Sequence, residues 1–272
     1  MISFKNIKEI IAGKNKKILK SMILNTLYKP VGMLISLIYI PLLLSYLGDE
    51  KYGIWVTLLS VISWVTYFDV GIGNGLRNTL TSYLTKGDTK KSQSAVSTAY
   101  TVLIVVFIII FAVACLAGQF LDFRKIFNTN INVAPAVYIC FFSICINFIL
   151  SLCNIQLYAL QKAEVVGLLS VGGQILNVVG LLLISKFSSQ SLTIMAALFG
   201  ISSMVINMTC SLLMWKNYGF LRPSIRKYDK TMLHDICNVG FRFFGLQIAA
   251  LILFTTDNLI ITYLFGPGKV IP

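Results

Sequence analysis

Long apolar runs recur seven times along the chain, each near or above the ~20 residues that a helix needs to cross bilayer hydrocarbon. The first covers 22–47 and is interrupted only by Lys29. The second covers 52–76 and holds one acid, Asp69. The third is 95–117, and the fourth lies inside the uncharged stretch 126–161. The fifth is 165–185, the sixth 192–215, and the seventh 243–264, interrupted by Asp257. The runs are continuous rather than alternating, which excludes barrel strands and leaves helices that satisfy their own backbone groups in lipid. The expected fold is an all-α integral membrane protein: one six-helix transmembrane bundle over 21–215, a basic loop over 216–242, and over 243–272 the first helix of a second bundle.

Residues 1–20 form a separate expectation. Ile7, Ile10 and Ile11 share one helical face and lysines fill the rest, so this stretch reads as an interfacial amphipathic helix. A cleaved signal peptide fits poorly, because the first run is longer than a signal core and no small-residue cleavage site follows it. Composition agrees with a membrane location: 57% of residues are hydrophobic and 12% charged, with a mean hydropathy of +0.81. Soluble domains carry about 25% charged residues.

The net charge of +13 reports topology. With the amino terminus inside, the inner segments hold sixteen basic residues: Lys5, Lys8, Lys14, Lys16, Lys17 and Lys20; Arg77, Lys86, Lys90 and Lys91; Lys162; and Lys216, Arg222, Arg226, Lys227 and Lys230. The outer side holds five, Lys51, Arg124, Lys125, Lys186 and Lys269. That asymmetry is the positive-inside pattern. The basic inner face suits anionic membrane lipids as partners. Nucleic acid is rejected as a partner, since no recognised binding module accompanies the charge.

Catalysis finds little footing, and the chain is not expected to be an enzyme or to need a cofactor. Cys115, Cys140, Cys145, Cys153 and Cys210 fall in the apolar runs and Cys237 in the basic loop, without the spacing of a zinc site. They read as small packing residues. His234 is the only histidine, so no metal site is expected. The GIGNG at 71–75 lacks both the preceding strand and the spacing of a dinucleotide loop.

Ionisable residues inside spans are costly and usually face a bundle interior or an aqueous cavity. Lys29 lies ~13 Å of helical rise beyond Lys20, and Asp69 ~12 Å before Arg77. Their similar depth makes a Lys29–Asp69 contact the expectation, either as a structural pair or in substrate or ion handling. Asp257 is expected in a cavity, and Arg242 can snorkel to the inner interface. Asn25, Asn74, Asn78, Asn147, Asn154, Gln156, Gln174, Asn177, Asn207 and Gln247 lie in or beside spans and favour a polar interior. Gly167, Gly172, Gly173 and Gly180 in the fifth run suit close helix packing.

Residues 47–78 read LGDEKYGIWVTLLSVISWVTYFDVGIGNGLRN. With Tyr46, this resembles the start of the Wzx-like polysaccharide and O-antigen flippases of the multidrug/oligosaccharidyl-lipid/polysaccharide superfamily. In that family a "YLG…YG" turn ends the first helix, here Tyr46, Leu47, Gly48, Tyr52 and Gly53. A "D-GIG-GLRN"-like segment ends the second, here Asp69, Gly71, Gly73, Gly75, Leu76, Arg77 and Asn78. TTDNLIITYLFG at 255–266 resembles the family's seventh helix. The resemblance implies movement of undecaprenyl pyrophosphate-linked oligosaccharide across the bacterial cytoplasmic membrane by alternating access between two bundles. Other polysaccharide-assembly membrane proteins are implied as partners.

Cavity candidates on this reading are Lys29, Asp69, Asn74, Arg77, Asn78, Arg242 and Asp257. The family has about twelve helices or more, so the second bundle is expected to be missing here, and these residues alone are not expected to transport. The competing readings are a multidrug or cation antiporter of the same superfamily, which calls for acidic cavity residues, and a membrane fragment without transport activity. A membrane polymerase is disfavoured by the short outer connections.

Overall fold

The computed structural model describes residues 4–66, 71–187, 190–238, 240, 245 and 260–265. The first helix, α1 (Phe4–Leu47), runs without interruption from the basic amphipathic stretch into the first span. The expected boundary near residue 20 is therefore not a helix end. Nothing in the sequence before Pro30 breaks a helix strongly, and the lysines there are good helix formers. The helix stops where Gly48 takes φ 73 and its N–H closes onto the Leu44 carbonyl at 2.8 Å. Glycine adopts that left-handed geometry freely, which is what the YLG turn supplies.

The second run departs from the single span expected at 52–76. It holds α2 (Asp49–Thr66) and α3 (Ile72–Thr85). The latter starts after Gly71 at φ 76 and continues past 76, because Ile72, Leu76 and Leu80 repeat at helical spacing and are buried. Thr79, Thr81 and Ser82 lower the hydropathy of this turn without ending the helix. Next come α4 (Thr89–Gly118) and the short α5 (Phe123–Ile126). The fourth run is broken at Ser151 into α6 (Ala134–Leu150) and α7 (Leu152–Ala159). Then follow α8 (Ala163–Phe187) and α9 (Leu192–Asn217). Among the described residues, five spans are long and apolar enough to cross a membrane: Lys20–Leu47, Thr89–Gly118, Ala134–Ala159, Ala163–Phe187 and Leu192–Asn217. Most of the seventh run lies outside the described residues. Cys237 and His234 belong to a helical stretch over 230–238, not to a loop.

The helix pairs in most extensive contact are α1 with α8, α6 with α9, α3 with α4, α8 with α9, and α3 with α7. Among the described residues three apolar clusters hold the bundle, one around Leu47, Ile54, Trp55, Leu58 and Met195, a second around Leu76, Leu80, Leu103, Phe107 and Ile236, and a smaller one of Cys153, Leu157, Cys210 and Met214. The outward faces are just as apolar. Leu34 and Ile38 of α1, Ile108 and Leu116 of α4, and Leu183 of α8 are exposed. At about 25 cal/mol per Å² such faces are unfavourable in water and suited to lipid.

Hydrogen bonds define the two ends. At one, the Ser191 N–H donates to the Tyr46 hydroxyl (3.3 Å), Lys51 Nζ to the Gln190 carbonyl (2.6 Å), and Thr129 Oγ1 to Glu50 (2.5 Å). At the other, Ser21 donates to Glu164, and Lys162 Nζ sits 4.9 Å from the centre of the Tyr218 ring. The connector after α9 is laced to the start of α4 here. Gln93 donates to the Arg222 carbonyl (3.1 Å) and Ser94 to the Lys227 carbonyl (3.0 Å). Ser97 Oγ accepts from the Ser224 N–H (3.1 Å) and Thr98 Oγ1 from the Asp229 N–H (3.0 Å). The fold thus gathers Lys91, Lys162, Arg222 and Lys227 at one end and Lys51 at the other, matching the two groups read from charge.

Asp229 starts the 230–238 stretch. The hydroxyl and then the N–H of Thr231 donate to its Oδ1, each at 2.8 Å, and hold its carboxyl below the usual range. A depressed folded value means that the stabilisation is present above the ordinary carboxylate pKa and is lost as pH falls through the folded one. A site-resolved titration should place Asp229 below exposed aspartates. A midpoint at or above theirs would contradict the cap.

Candidate functional site

Helices α1, α6, α7, α8 and α9 surround a cavity of about 1010 Å³. On α1, Asn25, Lys29, Gly32 and Ser36 recur every three to four residues and so share one face. On α8, Ser170, Gly173, Gln174 and Asn177 repeat the same spacing. Asn147 of α6, Asn154 and Tyr158 of α7, and Ser203 and Asn207 of α9 complete the polar wall. Helical periodicity is the reason a mostly apolar bundle can hold a wet interior, since each helix turns one polar stripe inward and its apolar residues outward.

The carboxamides are organised. Asn154 Nδ2 donates to Asn207 Oδ1 (3.2 Å), and Asn207 Nδ2 donates to Asn147 Oδ1 (2.7 Å), tying α7, α9 and α6 together. On the facing helix, Asn177 Nδ2 donates to the Gly173 carbonyl (3.0 Å). Gln174 Oε1 and Asn177 Oδ1 are buried with no hydrogen-bond partner among the described residues. Among the described residues, Lys29 is the one charged side chain lining the cavity, and no carboxylate lines it. The described ion pairs, Lys125–Asp122 at 3.7 Å and His234–Asp235 at 3.9 Å, do not involve it. A second cation stands near the cavity: the Arg77 guanidinium carbon lies 5.0 Å from the centre of the Tyr158 ring, a cation–π contact.

Of the expected site residues, Lys29 lines the cavity and Arg77 reaches its Tyr158. Asn74 and Asn78, on α3, are not among the lining residues, and Asn78 is exposed. Asp69, Arg242 and Asp257 lie outside the described residues, so a Lys29–Asp69 contact is not placed. Asn25, Asn147, Asn154, Gln174, Asn177 and Asn207 all face the cavity, as a polar interior requires. Gln156 does not: it is fully buried and donates to the Tyr100 hydroxyl at 3.3 Å. The sequence reading missed Tyr28, Ser36, Tyr158, Ser170 and Ser203, which the helical spacing around Lys29 and Gln174 could have found.

The GIGNG glycines serve packing. A Cβ on Gly75 would lie 2.1 Å from the Ile236 carbonyl oxygen, and one on Gly71 would lie 2.1 Å from that of Gly240. Helix α3 and the segment after the connector therefore cross backbone to backbone, as small residues permit. Further along, Thr57 of α2 hydrogen-bonds Thr262. The α2–α3 unit thus touches both the segment that precedes the seventh run, at Ile236 and Gly240, and the run itself, at Thr262.

Residues 18–270 match the family described as polysaccharide biosynthesis protein. A solved structure titled "Outward-facing conformation of a multidrug resistance MATE family transporter of the MOP superfamily" superposes with a TM-score of 0.67 at 17% identity. The alignment covers 92% of this chain and 57% of that one, so the chain spans little more than half the length of that transporter. At this identity the likeness is one of fold. No curated protein matches the chain.

Proposed function

Because the chain belongs to the polysaccharide biosynthesis protein family, we propose that it acts in moving an undecaprenyl pyrophosphate-linked oligosaccharide across the bacterial cytoplasmic membrane. The observation that carries this reading is the chemistry of the cavity: among the described residues, carboxamides and hydroxyls surround one cation, with no carboxylate in the lining. Amides and hydroxyls pair with sugar hydroxyls, and a fixed ammonium attracts a phosphate. A multidrug or cation antiporter calls instead for acids in its cavity, and Lys29 opposes a cationic cargo there. The transporter fold supplies the means, one bundle moving against another around a site near the midplane. Loss of the gene in its host should leave the lipid-linked oligosaccharide accessible from the cytoplasmic face only. Undiminished glycan at the outer face, with no other transporter induced, would contradict the proposal.

The amino terminus and the basic end face the cytoplasm on this reading, next to anionic lipids. Reporter fusions after Gly87, Lys162 and Lys227 should read as cytoplasmic, and those after Gly48, Thr129 and Ser188 as external. Reversal at two or more sites would sink that orientation.

A further inference from the structure

We infer that the cavity inside the first bundle is a saccharide subsite, where Gln174 and Asn177 accept hydrogen bonds from the hydroxyls of a sugar and Lys29 holds an acidic group beside it. This deepens the transport reading and rests on it. The two walls of the cavity are unlike. On one, the Asn154–Asn207–Asn147 chain fixes three carboxamides, and both ends of the central Asn207 amide are occupied by its neighbours. On the other, two buried acceptors, Gln174 Oε1 and Asn177 Oδ1, have no donor among the described residues. Their directions are set by the backbone. The Asn177 amide nitrogen is tied to the Gly173 carbonyl. The Gln174 carboxamide lies against Gly32 of α1, its Nε2 only 2.9 Å from where a Cβ would stand.

A buried acceptor without a partner is unfavourable, so the natural occupant brings donors. An ammonium brings donors but meets Lys29. A phosphate dianion has none to give, and an alkyl chain has none. A sugar carries several hydroxyls on adjacent carbons, each a donor and an acceptor, and so serves Gln174 and Asn177 together. The aromatic side chains Tyr28, Tyr158 and Phe199 also line the cavity. The volume, about 1010 Å³, is that of a site for a compact ligand, so it takes a head group and leaves a long polyprenyl tail in the bilayer.

The test is direct binding, separated from transport. The full protein in lipid nanodiscs is mixed with glucose 1-phosphate, galactose 1-phosphate or N-acetylglucosamine 1-phosphate, and saturation transfer to the sugar-ring protons is measured. Transfer is expected for at least one of them. Affinity for that probe should fall about tenfold in Gln174→Met, which keeps length and removes the amide, and about tenfold in Asn177→Leu, the loss of roughly one hydrogen bond each. Inorganic pyrophosphate should compete in wild type and lose its effect in Lys29→Met. No transfer from any probe, or unchanged affinity in both α8 variants with wild-type thermal midpoints, overturns the subsite. A protein that binds these sugars but moves no lipid-linked oligosaccharide refutes the transport reading alone. Unchanged transport of lipid-linked oligosaccharide in both α8 variants refutes the subsite alone.

Discussion

Gly75→Ala should destabilise the protein by about 1–3 kcal/mol or more, the range for overfilling a packed site. The added carbon would stand 2.1 Å from the Ile236 carbonyl oxygen. That neighbour is backbone, which cannot swing aside as a long side chain would, so α3 and the 230–238 stretch must separate. Separation would also disturb the cluster in which Leu76, Leu80, Met232 and Ile236 are buried together. Gly219→Ala is the matched control, since nothing lies within 4 Å of its added carbon. Thermal unfolding in nanodiscs should show a clearly lowered midpoint for Gly75→Ala and none for Gly219→Ala. Equal midpoints would mean that the crossing is not the close contact described.

The second large effect is expected at Asn207. Its amide is the middle of the three-carboxamide chain, so Asn207→Leu leaves Asn154 without an acceptor and Asn147 without a donor. Interhelical hydrogen bonds in membranes average about 0.6 kcal/mol and reach about 1.7, so losing two costs roughly 1–3 kcal/mol. Thermal unfolding reads that loss. The larger consequence is positional, because Asn147 and Asn154 would be free to turn into the cavity. Transport should therefore fall further than stability does. A variant that melts earlier yet transports at the wild-type rate would reduce Asn207 to a structural tie. Asn147→Leu removes only one of the two bonds and should have the smaller effect on both measurements.

How much of this was legible beforehand follows from the physics of each signal. The long apolar helices were legible because crossing hydrocarbon demands length and hydrophobicity together, and both are properties of a single segment. Segment ends were less so. The turn beyond Leu76 is rich in threonine and serine, yet α3 continues through it, since Leu80 on the buried face decides the matter. The break at Ser151 has no proline or glycine to announce it. Continuity of α1 across residue 20 is not legible in the change from charged to apolar residues, which marks a change of surroundings and not a helix end.

The polar interior was legible in outline, since amides in spans have few other uses. Which amides meet was not, because Asn147, Asn154 and Asn207 come together only through the packing of α6 and α7 on α9. Arg77 shows the same limit: its place among the cavity candidates was legible from the motif, but its aromatic partner, Tyr158, emerges only from the packing of α3 on α7. The glycine motif was legible as a family signature. Its purpose, letting two backbones touch, required knowing the partner segment.

The central claim is that a cationic, amide-lined cavity handles a sugar-bearing, phosphate-linked lipid. It is tested most directly by reconstituting the chain, extended by the second bundle that transport is expected to need, in vesicles with a labelled undecaprenyl pyrophosphate-linked oligosaccharide in one leaflet and following its exposure to an impermeant glycosidase outside. The account predicts protein-dependent exposure, slowed at least about tenfold by Lys29→Met, the order expected for losing one charge-assisted contact. Exposure at the same rate with and without the protein, or a Lys29→Met variant as fast as wild type, would contradict it.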